Sequence, residues 1–413
     1  MLTHAEVSIV LLVIWGSAFY FLRKRLITSK LYFLLLLLMG SAGLFLPLNE
    51  WLDIGTPNDF RFSLCVLFAF LLIGSIIPWI RFDKFFSVVK SIRFNPAYEG
   101  QIRVALVVLI IMGIYAILYT LPYAIIAYRT GAGEVRAFIM DDSILPVNIF
   151  STIALGVGFL APVYILLFYM CLCSNRFKGY AIPLFFTSGA YLVTTAPAQA
   201  RDGFIMIPFA YFFLYQLFKT MLPQQSIRMI KKLIRIAIPV VLGFFLVITF
   251  NRFFNSSESE RMENLVGGTW EYFYQQPYVF DQTIQHQIYF HGITNKFPLL
   301  GHIMGIPSTG RHLDYKFEYS FGTQYATFYS ATGWSSLIIA TLFFILSWTL
   351  VFRSLYNSRN FFGMLIVHSL YLLFLITGLF YFRLAAESIT ITYLIIIVFA
   401  FFVKHYAVVE YKI

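Results

Sequence analysis

Long apolar runs dominate this sequence, and most of them are long enough to cross a lipid bilayer. A membrane-spanning helix needs about 20 mostly apolar residues, because the hydrocarbon core is ~30 Å thick. Hydrophobic residues make up 60% of the 413 residues, and charged residues make up only 12%. A soluble domain of this length could not bury so much apolar surface. We therefore expect an integral membrane protein.

The spacing of these runs predicts an all-α, polytopic membrane protein with about eleven transmembrane helices and one large external loop. The chain then divides into helices 1–8 within residues 1–251, an external loop subdomain over residues 252–332, and helices 9–11 within residues 333–413. The predicted spans lie near 6–22, 31–48, 62–80, 104–121, 147–173, 180–199, 203–221, 236–251, 333–352, 361–382 and 388–403.

The predicted external loop is polar and rich in aromatic residues. Residues 263–276 and 281–290 are expected to form short helices lying on the membrane, and Pro277, Pro298 and Pro307 to break the pattern between them. The aromatic rings suit stacking on sugars, with Gln275, Gln276 and Gln285 as partners for hydroxyl groups. They equally suit a belt at headgroup level. The rings are those of Trp270, Tyr272, Phe273, Tyr274, Tyr278, Phe280, Tyr289 and Phe290.

The distribution of Lys and Arg predicts the orientation of the chain. Basic residues concentrate in alternate loops, such as 23–30, 81–103 and 219–235, and cytoplasmic loops carry this excess. The N-terminus is therefore expected outside, and the C-terminus in the cytoplasm. The net charge of +11 has the same source and needs no nucleic acid partner. The three cysteines, Cys65, Cys171 and Cys173, lie in apolar runs. This position argues against a disulfide framework, a zinc site or a thiol nucleophile.

Arginines on the predicted outer side oppose this rule and are the candidate binding residues. Arg201 lies in a short turn, Gln199–Gly203, where its planar guanidinium suits a phosphate or carboxylate. Its alternative role is an ion pair with Asp202 or an anchor at the headgroups. Arg383 at the end of the tenth span has a similar setting, with a pair to Glu387 as the alternative. Arg252 and Arg311 of the loop complete the set.

Four histidines lie in the loop, at positions 286, 291, 302 and 312, without the spacing of a metal site. Imidazole titrates near neutral pH, so any of them could act as a general base. His312, flanked by Arg311 and Asp314, is the first candidate, and His291 is the second. The alternative is a solvated loop histidine. We expect no bound metal and no cofactor.

The chain resembles the Wzy-type O-antigen or oligosaccharide repeat-unit polymerases. The resemblance rests on the many spans, the Arg-bearing turn Ala200–Gly203, the large external loop and the segment Tyr325–Gly333 that leads into the next span. O-antigen ligases tend to carry a His-Asn pair before that glycine, whereas this chain reads Gly-Thr-Gln-Tyr at 322–325. The departure favours a polymerase over a ligase.

The resemblance implies a glycosyltransferase-type enzyme of the bacterial inner membrane that takes undecaprenyl-diphosphate-linked oligosaccharides. A chain-length regulator and a flippase would be its partners. Arg201, with Arg383 or Arg311, would hold the diphosphate. His312, His291 or Asp202 would orient or deprotonate the acceptor hydroxyl. The alternatives are a lipid-linked oligosaccharide flippase or exporter, an O-antigen ligase, and a metal-dependent glycosyltransferase.

Overall fold

The computed structural model describes most of the chain. The described residues are 2–45, 60–130, 144–146, 148–198, 202–253, 274–287, 290, 292–306, 323–355, 361–380, 382, 384 and 387–411.

Helices account for most of the described residues. In chain order they are α1 (His4–Leu22), α2 (Ser29–Phe45), α3 (Phe62–Ser75), α4 (Ile77–Phe86), α5 (Glu99–Thr130), α6 (Ile149–Gly158), α7 (Ala161–Cys173), α8 (Ala181–Ser188), α9 (Ala190–Thr195), α10 (Asp202–Phe218), α11 (Gln224–Phe253), α12 (Gln276–His286), α13 (Gly292–Lys296), α14 (Pro298–Met304), α15 (Gln324–Thr332), α16 (Trp334–Ser354), α17 (Phe361–Gly378) and α18 (Glu387–Phe402). Short 3₁₀ turns occupy Pro96–Tyr98, Lys178–Tyr180 and Ala196–Ala198.

Within the described residues, five helical stretches are long and apolar enough to cross a membrane: His4–Leu22, Phe62–Phe86, Pro96–Ala127, Trp334–Ser354 and Phe361–Gly378. The pair α6 and α7 is bent by 49° and makes six stretches if it counts as one span. The protein is thus a largely helical membrane protein. The number of such helices is smaller than the eleven expected spans.

Short and broken helices account for most of this difference, and the remaining expected span, 236–251, lies within the long helix α11. The apolar segments Ser29–Phe45, Met206–Phe218 and Ser388–Phe402 form helices that are shorter than a full crossing of the bilayer. The expected span at 180–199 is interrupted at Gly189, between α8 and α9. Apolar periodicity predicted a helix in each of these segments, but it did not predict where the helix would break.

A small sheet departs from the all-α prediction. Strands β1 (Val89–Phe94) and β2 (Ala407–Tyr411) pair antiparallel, with Ile92 opposite Val409 and Phe94 opposite Ala407. The side chains of Val89, Ile92 and Phe94 are buried, so β1 has one apolar face. Both strands follow the apolar runs in sequences that were treated as loops.

The chain forms two compact units. The first contains Met1–Phe85, Met262–Phe352 and Phe374–Thr390, and the second contains Phe86–Arg261, Arg353–Leu373 and Ile391–Ile413. The first unit therefore combines the N-terminal helices with much of the predicted external loop. The predicted division into three consecutive parts of the chain remains a prediction.

Asp83 organises one end of the first unit. Its carboxylate accepts hydrogen bonds from the backbone N–H groups of Ile27 (2.8 Å), Thr28 (3.1 Å) and Ser29 (2.9 Å), where α2 begins. The hydroxyls of Thr28 and Ser29 donate to the same carboxylate. A negative charge at a helix N-terminus satisfies N–H groups that lack partners within the helix. Asp83 thereby links α4 to the start of α2.

In the second unit, small residues allow close approaches between helices. A Cβ at Gly113 of α5 would lie 2.6 Å from Thr187 of α8. Glu99 at the start of α5 forms salt bridges of 2.6 Å with Arg103 and Arg176. Both arginine side chains are exposed and Glu99 is partly exposed, so these pairs contribute little stability.

Candidate functional site

The candidate site lies in the first unit, where two helices of the predicted external loop pack on α3. The buried face of α3 includes Leu64, Cys65, Phe68 and Leu72, which recur at the spacing of one helical side. Phe280 of α12 lies against Phe68, with ring centroids 5.3 Å apart. The hydroxyl of Tyr325, in α15, donates to the carbonyl of Leu71 at 2.7 Å. Two polar helices, α12 and α15, thus pack against one apolar helix, α3.

α12 is buried although its sequence is polar. Eight consecutive residues, from Gln276 to Thr283, are buried, so the helix is covered on every side over two turns. The prediction of short helices on the membrane surface is wrong for this one. Pro277 was expected to interrupt the pattern, but it occupies the first turn of α12, where a missing N–H does no harm. Pro298 begins α14 in the same way.

Tyr278 joins α12 to the N-terminal helices. Its hydroxyl lies 2.8 Å from Ser8 Oγ and donates to the carbonyl of His4 at 3.1 Å. The His4 ring lies 4.7 Å from the Tyr278 ring. Gly43 of α2 completes the contact, because a Cβ there would be 2.6 Å from Ser8 Oγ and 3.1 Å from the Tyr278 hydroxyl. Three helices therefore meet around one phenol.

Asp281 is a buried carboxylate next to this contact. Its Oδ1 accepts the backbone N–H of Arg61 at 3.0 Å, and its Oδ2 accepts from the amide of Gln285. Burial raises the pKa of Asp281, although these two hydrogen bonds partly offset the rise. The predicted hydroxyl-binding role of Gln285 thus competes with a structural one.

α15 carries a second buried phenol. Tyr325 is fully buried, and its hydroxyl contacts Ser75 Oγ as well as the carbonyl of Leu71. Burial raises the pKa of Tyr325 to about 12, partly offset by the hydrogen bonds to Ser75 and Gln324. The phenol is therefore neutral at physiological pH and can donate a hydrogen bond. α15 ends at Gly333, whose φ of +81° favours glycine and lets the chain turn into α16.

Several buried polar groups near these helices have no hydrogen-bond partner among the described residues. Gln282 is 1% exposed, and neither its Oε1 nor its Nε2 is paired. The same is true of Gln324 Oε1 and of the Thr323 hydroxyl at the start of α15. A Cβ at Gly378 would overlap Gln324 Oε1, so glycine there makes room for the amide. Buried polar groups are nearly always paired, and such exceptions are typical of sites that take a ligand or a water.

Aromatic rings from three other segments surround α15. Phe328 stacks on Phe297, with centroids 5.8 Å apart, and Phe382 lies 4.9 Å from Phe328. Phe290 lies 5.8 Å from Tyr329, the next residue of α15. Phe290 precedes His291 in the sequence, and Phe382 precedes Arg383. The chain neighbours of two predicted site residues therefore contact consecutive residues of one helix.

The predicted site residues themselves are not characterised by the structure. Arg201, Arg311, Arg383, His291 and His312 lie outside the described residues. Asp202 begins α10, and Arg252 is in the last turn of α11, but the positions of their side chains are not described either. These roles remain predictions. The described residues contain no group of three or more His, Cys, Asp and Glu side chains that could hold a metal ion.

Sequence reasoning missed residues that only the packing reveals. His4, Ser8, Gln282 and Gln324 were not singled out, because each is a single polar residue in a helix. Of the loop aromatics, Tyr274, Tyr278 and Phe280 are buried among helices and belong to neither a sugar platform nor an interfacial belt. The sequence did contain one signal for Gln282 and Gln324, since both are polar residues within an aromatic-rich segment.

No protein-family model, curated protein or solved structure matches this chain.

Proposed function

We propose that the protein polymerises lipid-diphosphate-linked oligosaccharide repeat units into a surface polysaccharide, an O-antigen or a capsule. The observation that carries the proposal is the setting of α15. This helix, Gln324–Thr332, covers most of the segment Tyr325–Gly333 that resembles the polymerases, and it contacts the chain neighbours of His291 and Arg383. A cation for the diphosphate and a base for the acceptor would then be contributed by residues adjacent in sequence to the rings that contact this helix.

The unpaired polar groups support a ligand that carries hydroxyl groups. Gln282 can both donate and accept, Gln324 Oε1 can accept, and the Thr323 hydroxyl can do either. A sugar offers hydroxyls that donate and accept in the same way. Leaving such groups unpaired in the folded protein is unfavourable by about 1–3 kcal/mol each, so a role in binding is a reason for their presence.

The proposed reaction needs no metal and no nucleotide sugar. The acceptor hydroxyl oxygen attacks the anomeric carbon of the donor, and the bond from that carbon to the diphosphate oxygen breaks. The polyprenyl diphosphate leaves with the bonding electrons, and the acceptor proton passes to a base. Arg201, with Arg383, Arg311 or Arg252, would stabilise the charge on the leaving group. His312, His291 or Asp202 would take the proton.

The proposal includes the orientation and the number of spans inferred from the sequence. In a bacterial cytoplasmic membrane, the N-terminus would lie outside, the C-terminus inside, and residues 252–332 on the outer side. About eleven crossings require that the bent pair α6 and α7 counts as one span. They also require that α2, α10, α18, the C-terminal part of α11 and the broken pair α8 and α9 span the bilayer. A flippase would supply the lipid-linked unit, and a chain-length regulator would limit the polymer.

Deletion of the gene, followed by gel electrophoresis of the surface polysaccharide, tests the proposal directly. Collapse of the ladder to a single repeat unit is the expected result. Loss of every unit would instead indicate the flippase or exporter, and free polymer without its anchor would indicate the ligase. Loss of activity on chelation of divalent ions would favour a metal-dependent glycosyltransferase.

A point variant then tests the site. Arg201→Ala should abolish long polymer while the protein level stays normal, because the diphosphate loses a bidentate partner. Arg228→Ala is the matched control, since Arg228 is an exposed residue near the start of α11. A normal polymer ladder in Arg201→Ala would remove that residue from the site.

A further inference from the structure

An apolar crevice lies between four helices of the second unit. It contains about 470 Å³ of space not filled by protein atoms, part of it open to the surroundings. α5, α7, α17 and α18 form the walls, and Phe94 and Tyr406 also line the crevice. Tyr406 stacks on Phe362, another lining residue, with ring centroids 6.2 Å apart.

The chemistry of the walls selects the kind of occupant. The lining side chains are apolar except for the Tyr406 hydroxyl, and no polar surface faces the crevice. A polar solute would find almost no hydrogen-bond partner there. A hydrocarbon chain, in contrast, needs no hydrogen bonds and can fill such a space by van der Waals packing. The crevice runs from Ile102 to Leu109 on α5, a length of roughly 10 Å at 1.5 Å per residue.

Three cations are direct sequence neighbours of residues that line the crevice. Phe94, Ile102 and Val403 line the crevice. Arg93 directly precedes Phe94, Arg103 directly follows Ile102, and Lys404 directly follows Val403. Arg93 and Arg103 are exposed, and Lys404 is partly exposed. Glu99 is the acid that pairs with Arg103, and it is shared with Arg176. The positive charge beside these lining residues therefore exceeds the negative charge.

We propose that this crevice binds an anionic phospholipid, with one acyl chain between the four helices and the headgroup at Arg93, Arg103 and Lys404. Basic pockets between membrane helices bind anionic headgroups by this combination of charge and apolar surface. The lipid fills space that the side chains leave open and ties α5 to α17 and α18. This is a binding site separate from the proposed polymerase residues.

Filling the crevice tests the acyl-chain contact. Leu106→Trp should reduce phosphatidylglycerol retained by the purified full-length protein at least tenfold, as measured by native mass spectrometry. Val108→Trp is the control, because Val108 is 48% exposed on the same helix and does not line the crevice. Val163→Phe is a second, smaller filling variant, to be used if Leu106→Trp does not fold. Equal retention by the filled variants and the control would overturn the proposal.

Removing charge tests the headgroup contact. Arg93→Gln combined with Lys404→Gln should lower the preference for phosphatidylglycerol over phosphatidylcholine several-fold. Lys24→Gln combined with Arg25→Gln removes the same charge from residues that do not adjoin the lining and should leave the preference unchanged. A preference unaffected by the first pair would contradict the headgroup assignment. Extraction of an isoprenoid instead of a phospholipid from the wild-type protein would contradict the choice of lipid.

Discussion

The hydroxyl of Ser8 lies 2.8 Å from the hydroxyl of Tyr278, although 270 residues separate them along the chain. This contact fixes a helix from the predicted external loop against the first helix of the protein. The polar segment is therefore not only an appendage of the membrane helices. Its helices α12 and α15 are part of the packed interior of the first unit, and the proposed site depends on how they are held there.

Tyr278→Phe should lower the free energy of unfolding by about 1–3 kcal/mol, because it removes the hydroxyl that contacts Ser8 and the His4 carbonyl. Thermal unfolding of the purified protein in detergent measures the change. Tyr20→Phe is the control, since Tyr20 is 58% exposed and keeps its ring under Arg23. An unchanged Tm for Tyr278→Phe would mean that the contact contributes nothing to stability.

Gly43→Ala should destabilise the first unit by about 1–3 kcal/mol, because the added Cβ would meet Ser8 Oγ and the Tyr278 hydroxyl. Gly243→Ala makes the same chemical change in α11, where a Cβ meets nothing within 4 Å. Alanine is the better helix former, so that variant should gain about 0.5–1 kcal/mol. The opposite signs of the two changes in Tm check the packing around Gly43. A gain of stability in both variants would refute the close approach.

Asp281 should make stability depend on pH. Its pKa is raised by burial in the folded state, so the folded protein binds more protons than the unfolded protein between the two pKa values. Stability should therefore fall as the pH rises from the ordinary carboxyl pKa of about 4 through the raised value. Asp281→Asn keeps an acceptor for the Arg61 N–H and cannot ionise. The free energy of unfolding of this variant should therefore change less with pH in this range. Parallel curves for both proteins would contradict the prediction.

Gln282→Met separates a role in binding from a role in folding. A near-isosteric apolar side chain removes two unpaired polar atoms, so the Tm should stay the same or rise. If the amide binds a sugar hydroxyl, the same variant should shorten or abolish the polymer. Gel analysis of the polysaccharide measures the second effect, and Gln225→Met on the exposed start of α11 is the control. Normal polymer in Gln282→Met would exclude the amide from the site.

Prediction from the sequence succeeded where the physical signal is local. The span expected at 333–352 is the helix Trp334–Ser354, and the span at 6–22 is His4–Leu22, because long apolar runs in lipid must satisfy their backbone within a helix. It failed for 147–173, where α6 and α7 meet at a 49° bend, and for the strands β1 and β2. Both outcomes depend on neighbours far away in the chain.

The amino-acid sequence by itself determined that the protein is a helical membrane protein, because hydrophobicity is a property of each segment alone. The tertiary structure decided which polar residues are buried. α12 has no apolar stripe that predicts burial, and its partners come from His4, Ser8, Gly43 and Phe68, more than 200 residues earlier. Only when these segments pack together do the amide of Gln282 and Oε1 of Gln324 become buried groups without a partner among the described residues, and thus candidates for binding a substrate.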